Sequence, residues 1–507
     1  MPELEFFSFN KIKNNNVFYR IIGCIVCCLT CFMVSGGVSS DVYFMINSAE
    51  TMLEEGFHYA DSLSMFQDMT FYTQKWAMCF LTYFVYTIGK MPALMLGMYV
   101  LGFIRSIMLF ETINVINPKS KTKNLFISTF ACLLLNVYTL DFRPSVIADC
   151  FIFLEIIMLE KHKRKKLNNK NVISLCIGSA IISLCVMWFH STMWPMCIVF
   201  VLPYLFDNYR LNKFFSVCKF KKLQASYSKT WPFALSILSM TLAGLFQPNG
   251  IKQFWYMLCV ILSPNSLSFA QECRKITFGD GWSIAIMILI ACVVICFSQT
   301  NKIELRFVYM FIGTLIMTFT AQRCLEYFLP SVFFMIASCV AESDSGTFKA
   351  LQESFEIYVA IAICIAFVGA MNLLYNIHAY KNGDIDEILG YKVDNIFYES
   401  DVPFDSKIYC SFDLGSYLEY LGYKPYIDGR LEAFSFMINQ QYDVLGEYSA
   451  TYDGSVPHLE YLNEKYSFDY YIVLNTSGFV ESLSYTNANL LYQDDYYSVY
   501  SYKQNDM

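Results

Sequence analysis

Residues 41–76 read DVYFMINSAETMLEEGFHYADSLSMFQDMTFYTQKW and follow directly on the apolar run Phe18–Ser40. That run is long enough to cross a bilayer. An acid at its end, then an amphipathic stretch, a second acid at Asp61 and the polar step Gln74-Lys75-Trp76, is more chemistry than a connecting loop requires. A lone Asp in this place would only end the helix at headgroup level. Its grouping with Asp61, Gln74 and Lys75 makes Asp41 a candidate functional residue.

Composition supports a membrane setting. Of 507 residues, 56% are hydrophobic, 18% aromatic and only 16% charged, and mean hydropathy is +0.39. These values lie well outside the soluble range and predict an integral membrane protein. The 19 cysteines are scattered through apolar segments without metal-site spacing, so they read as small core residues with no disulfide framework. The first apolar run, preceded by Lys11, Lys13 and Arg20, reads as a retained span rather than a cleaved leader. From His378 to Met507, 21 Asp and Glu stand against 7 Lys and Arg, which argues against nucleic acid as a partner. No Gly-rich phosphate loop, HExxH or nucleophile elbow occurs, which argues against an ATP-driven pump or a membrane metalloprotease.

Lysine and arginine mark the cytoplasmic side. Basic clusters at Lys11–Arg20, Lys119–Lys123, Lys161–Lys166, Arg210–Lys229 and Lys302–Arg306 are therefore expected inside. Between them, eleven spans are predicted at about 18–40, 91–115, 125–140, 145–160, 173–190, 192–206, 231–247, 282–298, 306–322, 327–342 and 354–376. The apolar piece Trp76–Gly89 has only 14 residues and is expected to lie at the outer interface with both ends outside. The fold class that follows is a mainly α, multi-pass protein of the plasma (inner) membrane. It has a membrane domain over 1–377, an outer loop with juxtamembrane helices over 41–90, and an acidic extracytoplasmic α/β domain over 378–507. The N-terminus is cytoplasmic.

This topology gathers Asp41, Asp61, Lys75, Asp141, Arg143, His190, Gln247, Glu272, Arg274, Arg323 and Glu326 on the outer face. Singly, each could snorkel or pair with a neighbour; as a group they predict a water-filled outer cavity.

The order of these pieces resembles the GT-C superfamily, the polytopic glycosyltransferases that use lipid-phosphate sugar donors, and in particular a bacterial subgroup of them. Asp41 is followed by Leu53-Glu54-Glu55-Gly56, Asp61-Ser62-Leu63-Ser64 and Lys75-Trp76 in the order of that subgroup. Arg143-Pro144, Trp188 with His190, Gln247-Pro248-Asn249-Gly250, Glu272 and Arg323 continue the match. The tail elements Phe412-Asp413-Leu414-Gly415-Ser416-Tyr417 and Ile427-Asp428-Gly429-Arg430-Leu431-Glu432 extend it. Departures are Met45, where many relatives carry His, Ser62 for Pro, and Gln247 for Asn. A contact carried by that His would have to come from elsewhere, such as His58.

The resemblance implies inverting transfer of a sugar from a polyprenyl-phosphate donor to a glycan, lipid or protein acceptor outside the cytoplasm. Asp41 would be the catalytic base. Lys75, Arg143 and Arg323 would bind the phosphate, Arg being suited by its planar fork. Gln74, His190, Asp61 and Glu272 would contact substrate. A divalent cation is a candidate cofactor. The residues also admit a polysaccharide polymerase or ligase, or a transporter or scaffold without catalysis.

In the tail, Lys407–Phe412, Pro425–Asp428, Asp469–Leu474 and a hairpin from Leu490 to Tyr500 have strand character, while Gly415–Leu421, Leu431–Leu445 and Val456–Tyr466 read as helices. Its 13 tyrosines from Tyr442 onward read as strand and core residues rather than sugar platforms. Asp428-Gly429-Arg430 reads as a turn with an internal ion pair.

Overall fold

The computed structural model describes residues 16–34, 37–57, 59–66, 68–165, 167–208, 210–217, 222–226, 229–262, 273–341, 355–381, 402–452 and 456–502. Glu272 and His58 lie outside the described residues. The chain opens with α1 (Asn16–Leu29), prolonged by a 3-10 turn to Met33, and α2 (Asp41–Glu55). The first span is thus shorter than the 18–40 expected. Residues 37–40 are non-helical because they are laced to the loop after α4: Ser39 N–H donates to Asp141 Oδ1 at 3.1 Å, and Arg143 Nη2 donates to Ser39 Oγ at 3.1 Å.

There follow α3 (Trp76–Ile116), α4 (Lys121–Thr139), α5 (Pro144–Lys163), α6 (Asn169–His190), α7 (Trp194–Phe206), α8 (Leu211–Val217), β1 (Leu223–Gln224), α9 (Trp231–Gly244) and α10 (Gly250–Leu262). Then come α11 (Gly281–Gln299), β2 (Ile303–Glu304), α12 (Leu305–Thr320), α13 (Leu325–Ala341) and α14 (Phe355–Lys381). Among the described residues, five stretches are long and apolar enough to cross a membrane, namely 76–116, 169–206, 281–299, 322–341 and 355–378, and four apolar helices are shorter. One of these, α10, follows the Gln247–Gly250 turn and was not expected as an element. Outward-facing Phe367 and Ile363 are 68% and 64% exposed, an apolar face that lipid covers. The protein is a multi-pass membrane protein.

Helix α3 is two pieces. Gly89 is non-helical and Lys90 has φ 54°, so the axis breaks there. Trp76 packs against Trp188 at 5.3 Å between ring centroids, and Tyr86 bonds Tyr420 of the tail, oxygen to oxygen at 2.5 Å. Both ends of the short apolar piece therefore lie on the tail's side.

Polar groups inside the bundle are paired to one another. Arg105, fully buried, donates to Thr139 Oγ1 at 2.7 Å and Asn136 Oδ1 at 2.9 Å and faces Asp149 at 3.4 Å. Asn136 Nδ2 donates in turn to Thr30 Oγ1 at 2.8 Å. An unpaired charge here would cost about 2.5–3.5 kcal/mol or more, so this network holds α1, α3, α4 and α5 in register. At the opposite end, Arg306 binds Glu160 at 2.6 Å, Asp207 at 3.3 Å and Glu304, beside the parallel β1–β2 pair. Lys119, Lys163 and Arg164 line a small cavity at this same end. The basic clusters read from sequence thus converge on the end remote from the tail.

The tail is a small α/β unit: β3 (Ile408–Cys410), α15 (Phe412–Tyr420), α16 (Val444–Tyr452), α17 (Val456–Tyr466), β4 (Tyr470–Leu474), α18 (Phe479–Ser484), β5 (Ala488–Gln493) and β6 (Tyr497–Tyr502). The sheet order is β3-β4-β6-β5, with β3 parallel to β4 and the rest antiparallel. Residues 431–443 form turns, not the helix expected from Leu431, and α16 begins only at Val444. Asn439, whose side chain bonds both backbone groups of Thr70 and the Ala433 carbonyl, takes the place of helical hydrogen bonding there. Tyr409, Tyr426, Tyr466 and Tyr471 pack into one aromatic core with Phe468.

The outer loop enters that core. Phe66 sits 4.8 Å from Tyr442 and 5.5 Å from Tyr466 between ring centroids, and Met65 N–H donates to the Pro425 carbonyl at 3.1 Å. Fully buried Arg430 binds Asp61 at 2.6 Å, Glu419 at 2.8 Å and Asp428 at 2.6 Å, with the Phe71 ring 4.9 Å away. One cation cannot balance three carboxylates. Burial, with Asp428 and Asp61 adding, drives Glu419 above the usual carboxyl range against the pull of Arg430. Burial pushes Asp61 the same way, but Arg430 and Ser64 outweigh it and hold Asp61 below its ordinary value.

Candidate active site

Between the tail and the helix ends nearest it lies a cavity of about 1320 Å³. Asp41, Gln74, Lys75, Arg143, His190 and Arg323 all line it; Asp61, in the Arg430 network, does not. Five elements deliver these groups. Asp41 is the first residue of α2, where the helix dipole favours negative charge. Lys75 immediately precedes α3. Its Nζ stands 4.0 Å from Asp41 Oδ2 and 4.5 Å from the centroid of the Phe44 ring. That separation is long for an ion pair and leaves the Asp41 oxygens room for a ligand.

Arg143 precedes Pro144, whose fixed φ starts α5. Its Nε lies 2.7 Å from Asp141 Oδ2. Asp141 also accepts from the backbone N–H of Ser39 and of Phe142, at 3.1 and 2.6 Å. Burial pushes its carboxyl up to about 6, Asp41's charge adding to the rise and Arg143 opposing it. Asp141 is thus an acid that sequence reading placed on the outer face without giving it a role.

His190 ends α6, and its Nδ1 is 3.0 Å from Thr192 Oγ1, which leaves Nε2 for a ligand. The ring lies in the field of Lys75, Arg323 and Arg143, a focus of positive charge suited to an anion. Gln74 is 3% exposed. Its Oε1 accepts from Ser191 Oγ at 2.9 Å, while its Nε2 has no hydrogen-bond partner among the described residues. An unsatisfied buried donor costs about 1–3 kcal/mol, which a bound oxygen would relieve.

The tail closes the cavity with Asp413, Gly429 and Glu432. The two tail motifs pack on each other: a methyl on Gly415 would overlap the Ile427 carbonyl oxygen, and Gly429 N–H donates to Ser416 Oγ at 3.2 Å. This close packing of Gly415, in α15, on the turn at Gly429 is the signal by which Asp413 and Glu432, near those glycines in sequence, could have been assigned to the site. Met45 is fully buried against Thr82, its Sδ 3.9 Å from the hydroxyl. Among the described residues no three His, Cys, Asp or Glu stand together to hold a metal ion. The described cysteines are free thiols.

No family model matches the chain, and no curated protein matches it in sequence. In architecture it is similar to the oligosaccharyltransferase of Archaeoglobus fulgidus tethered to an acceptor peptide, at TM-score 0.55 and 10% identity over 97% of this chain and 74% of that one. It is also similar to ArnT of Cupriavidus metallidurans bound to undecaprenyl phosphate, at TM-score 0.52 and 10% identity over 96% and 97%. The chain has the GT-C fold. A third match, the Archaeoglobus fulgidus enzyme with an inhibitory peptide and dolichol-phosphate, has TM-score 0.53 and 12% identity over 99% of this chain and 75% of that one. Each match spans helices and tail together, so the cavity lies at a seam that belongs to the shared fold.

Proposed function

We propose that the protein is a glycosyltransferase that moves a sugar from a polyprenyl-phosphate donor to a hydroxyl acceptor on the extracytoplasmic side. The observation that carries the reading is the convergence of Lys75, Arg143, Arg323 and His190 around Asp41 in one cavity. Lys75, Arg143 and Arg323 bind the donor phosphate and stabilise the charge that grows on it as the bond to the sugar breaks. Asp41 takes the acceptor proton. The acceptor oxygen attacks the anomeric carbon from the face opposite the phosphate, and polyprenyl phosphate departs with the bonding electron pair, inverting the centre. The Gln74 amide donates to an oxygen of the bound donor. In this reading the basic end of the bundle is cytoplasmic, the tail is extracytoplasmic and the membrane is the plasma (inner) membrane.

The test is release of polyprenyl phosphate from a panel of polyprenyl-phosphate hexoses and pentoses by purified protein. Asp41→Asn, nearly isosteric, is expected to lower turnover at least about 100-fold with donor binding retained. Full activity in that variant removes Asp41 as the base, and no turnover of any donor by the unmodified protein removes the transferase reading.

A further inference from the structure

The lysines and arginines of the cavity lining lie on one wall, beside Asp41, Asp141 and Glu326. These basic side chains, Lys75, Arg143, Arg274 and Arg323, all come from the membrane domain. The tail supplies two carboxylates, Asp413 and Glu432, together with serine hydroxyls, and no Lys or Arg among its described lining residues. The two tail acids are uncommitted: neither makes a hydrogen bond or ion pair with a described residue, whereas Asp41 faces Lys75 and Asp141 holds Arg143. Asp413 is exposed on the cavity wall. On the other wall, the buried and unpartnered Gln74 amide independently marks the cavity as a place for a ligand oxygen.

Resting on the transfer reading above, we propose that the acceptor is a saccharide terminus of zero or positive charge, held under the tail by Asp413 and Glu432, and that phosphorylated or carboxylated acceptors are refused. Once the donor phosphate occupies the cations, the remaining wall is anionic. Carboxylates only accept hydrogen bonds, so they match sugar hydroxyls and ammonium groups and repel anions. The acceptor hydroxyl so held gives its proton to Asp41 as its oxygen bonds to the anomeric carbon and the carbon–phosphate oxygen bond breaks.

The test uses the full chain in nanodiscs containing undecaprenyl phosphate, which fills the cationic wall. Saturation-transfer NMR then compares methyl glucoside, glucosamine and glucose 6-phosphate. Methyl glucoside and glucosamine are expected to bind, and glucose 6-phosphate at least about tenfold more weakly, as like charges at close range require. Asp413→Asn and Glu432→Gln, two independent variants, should each narrow that gap. Equal binding of the phosphate ester, or no saccharide binding at all, overturns the proposal. Binding with the stated charge preference beside no cleavage of any donor would instead sink the transfer reading and leave the acceptor site standing.

Discussion

Gly429 of the tail lies against Asp41 of the membrane domain: a methyl on its Cα would stand 3.1 Å from Asp41 Oδ1 and 3.0 Å from Ser416 Oγ. Both separations are tighter than ordinary contact, so one of the two oxygens would have to move. Gly429→Ala is expected to lower kcat by about 10- to 100-fold, since small misplacements of a reacting group carry that scale of loss, with less than about 1 kcal/mol of destabilisation. Turnover and thermal unfolding measured on the same preparation check it; unchanged turnover would detach the tail's position from catalysis.

Arg430 joins the outer loop to the tail through Asp61. Arg430→Met leaves buried acids without their cation and is expected to cost about 3–5 kcal/mol, read as a lower Tm and faster proteolysis of the tail. Because Asp61 is held below its ordinary value, its stabilising share is fully present above the unfolded value near pH ~4 and is lost as pH falls through the depressed folded value. Acid unfolding of the Asp61→Asn variant should lack that component.

Asp141 titrates near 6. Above that pH its negative charge offsets Arg143, and below it the guanidinium acts on the cavity unopposed. The donor is a phosphodiester and keeps its single charge over this range, so its affinity should rise as pH drops through about 6. Asp141→Asn should abolish the inflection. A pH-independent dissociation constant in the unmodified protein would contradict this account.

Arg143→Lys and Arg323→Lys keep charge but lose the two-pronged contact. Each is expected to lower kcat/KM by about 10- to 100-fold without loss of expression. Wild-type kinetics in both would make these arginines structural.

Cysteines introduced at Lys119 and at the exposed tail residue Tyr485 should react with opposite preference for a membrane-impermeant reagent in a cysteine-depleted background, Tyr485 from outside and Lys119 only after permeabilisation. Labelling of the Lys119 position in intact cells would invert the proposed orientation.

The membrane fold was legible because its signals are local. Hydropathy marked the spans, 14 residues were too few for Trp76–Gly89 to cross, and charge sorted the loops to one end. The boundary errors have nonlocal causes. Residues 37–40 leave the helix because loop 141–143 binds them, and residues 431–443 follow Asn439 onto Thr70. Most of the cavity wall was readable as outer-face charge, but Asp61 was not: its pattern alone does not distinguish a substrate ligand from the partner of Arg430, 369 positions away. Asp413 and Glu432 reach the cavity only through tertiary packing of Gly415, in α15, on the turn at Gly429.

The threading of Phe66 into the tail's aromatic core also orders events during synthesis. Residues 59–72 leave the ribosome long before the strands that surround them, so the loop emerges with Phe66 and Phe71 exposed and Asp61 without its cation. Helices can insert and pack while this half of the junction waits. The cavity acquires its second wall only when the last strands have folded around a segment made hundreds of residues earlier, so a chain cut short in its tail would be inserted in the membrane yet never assembled as a site.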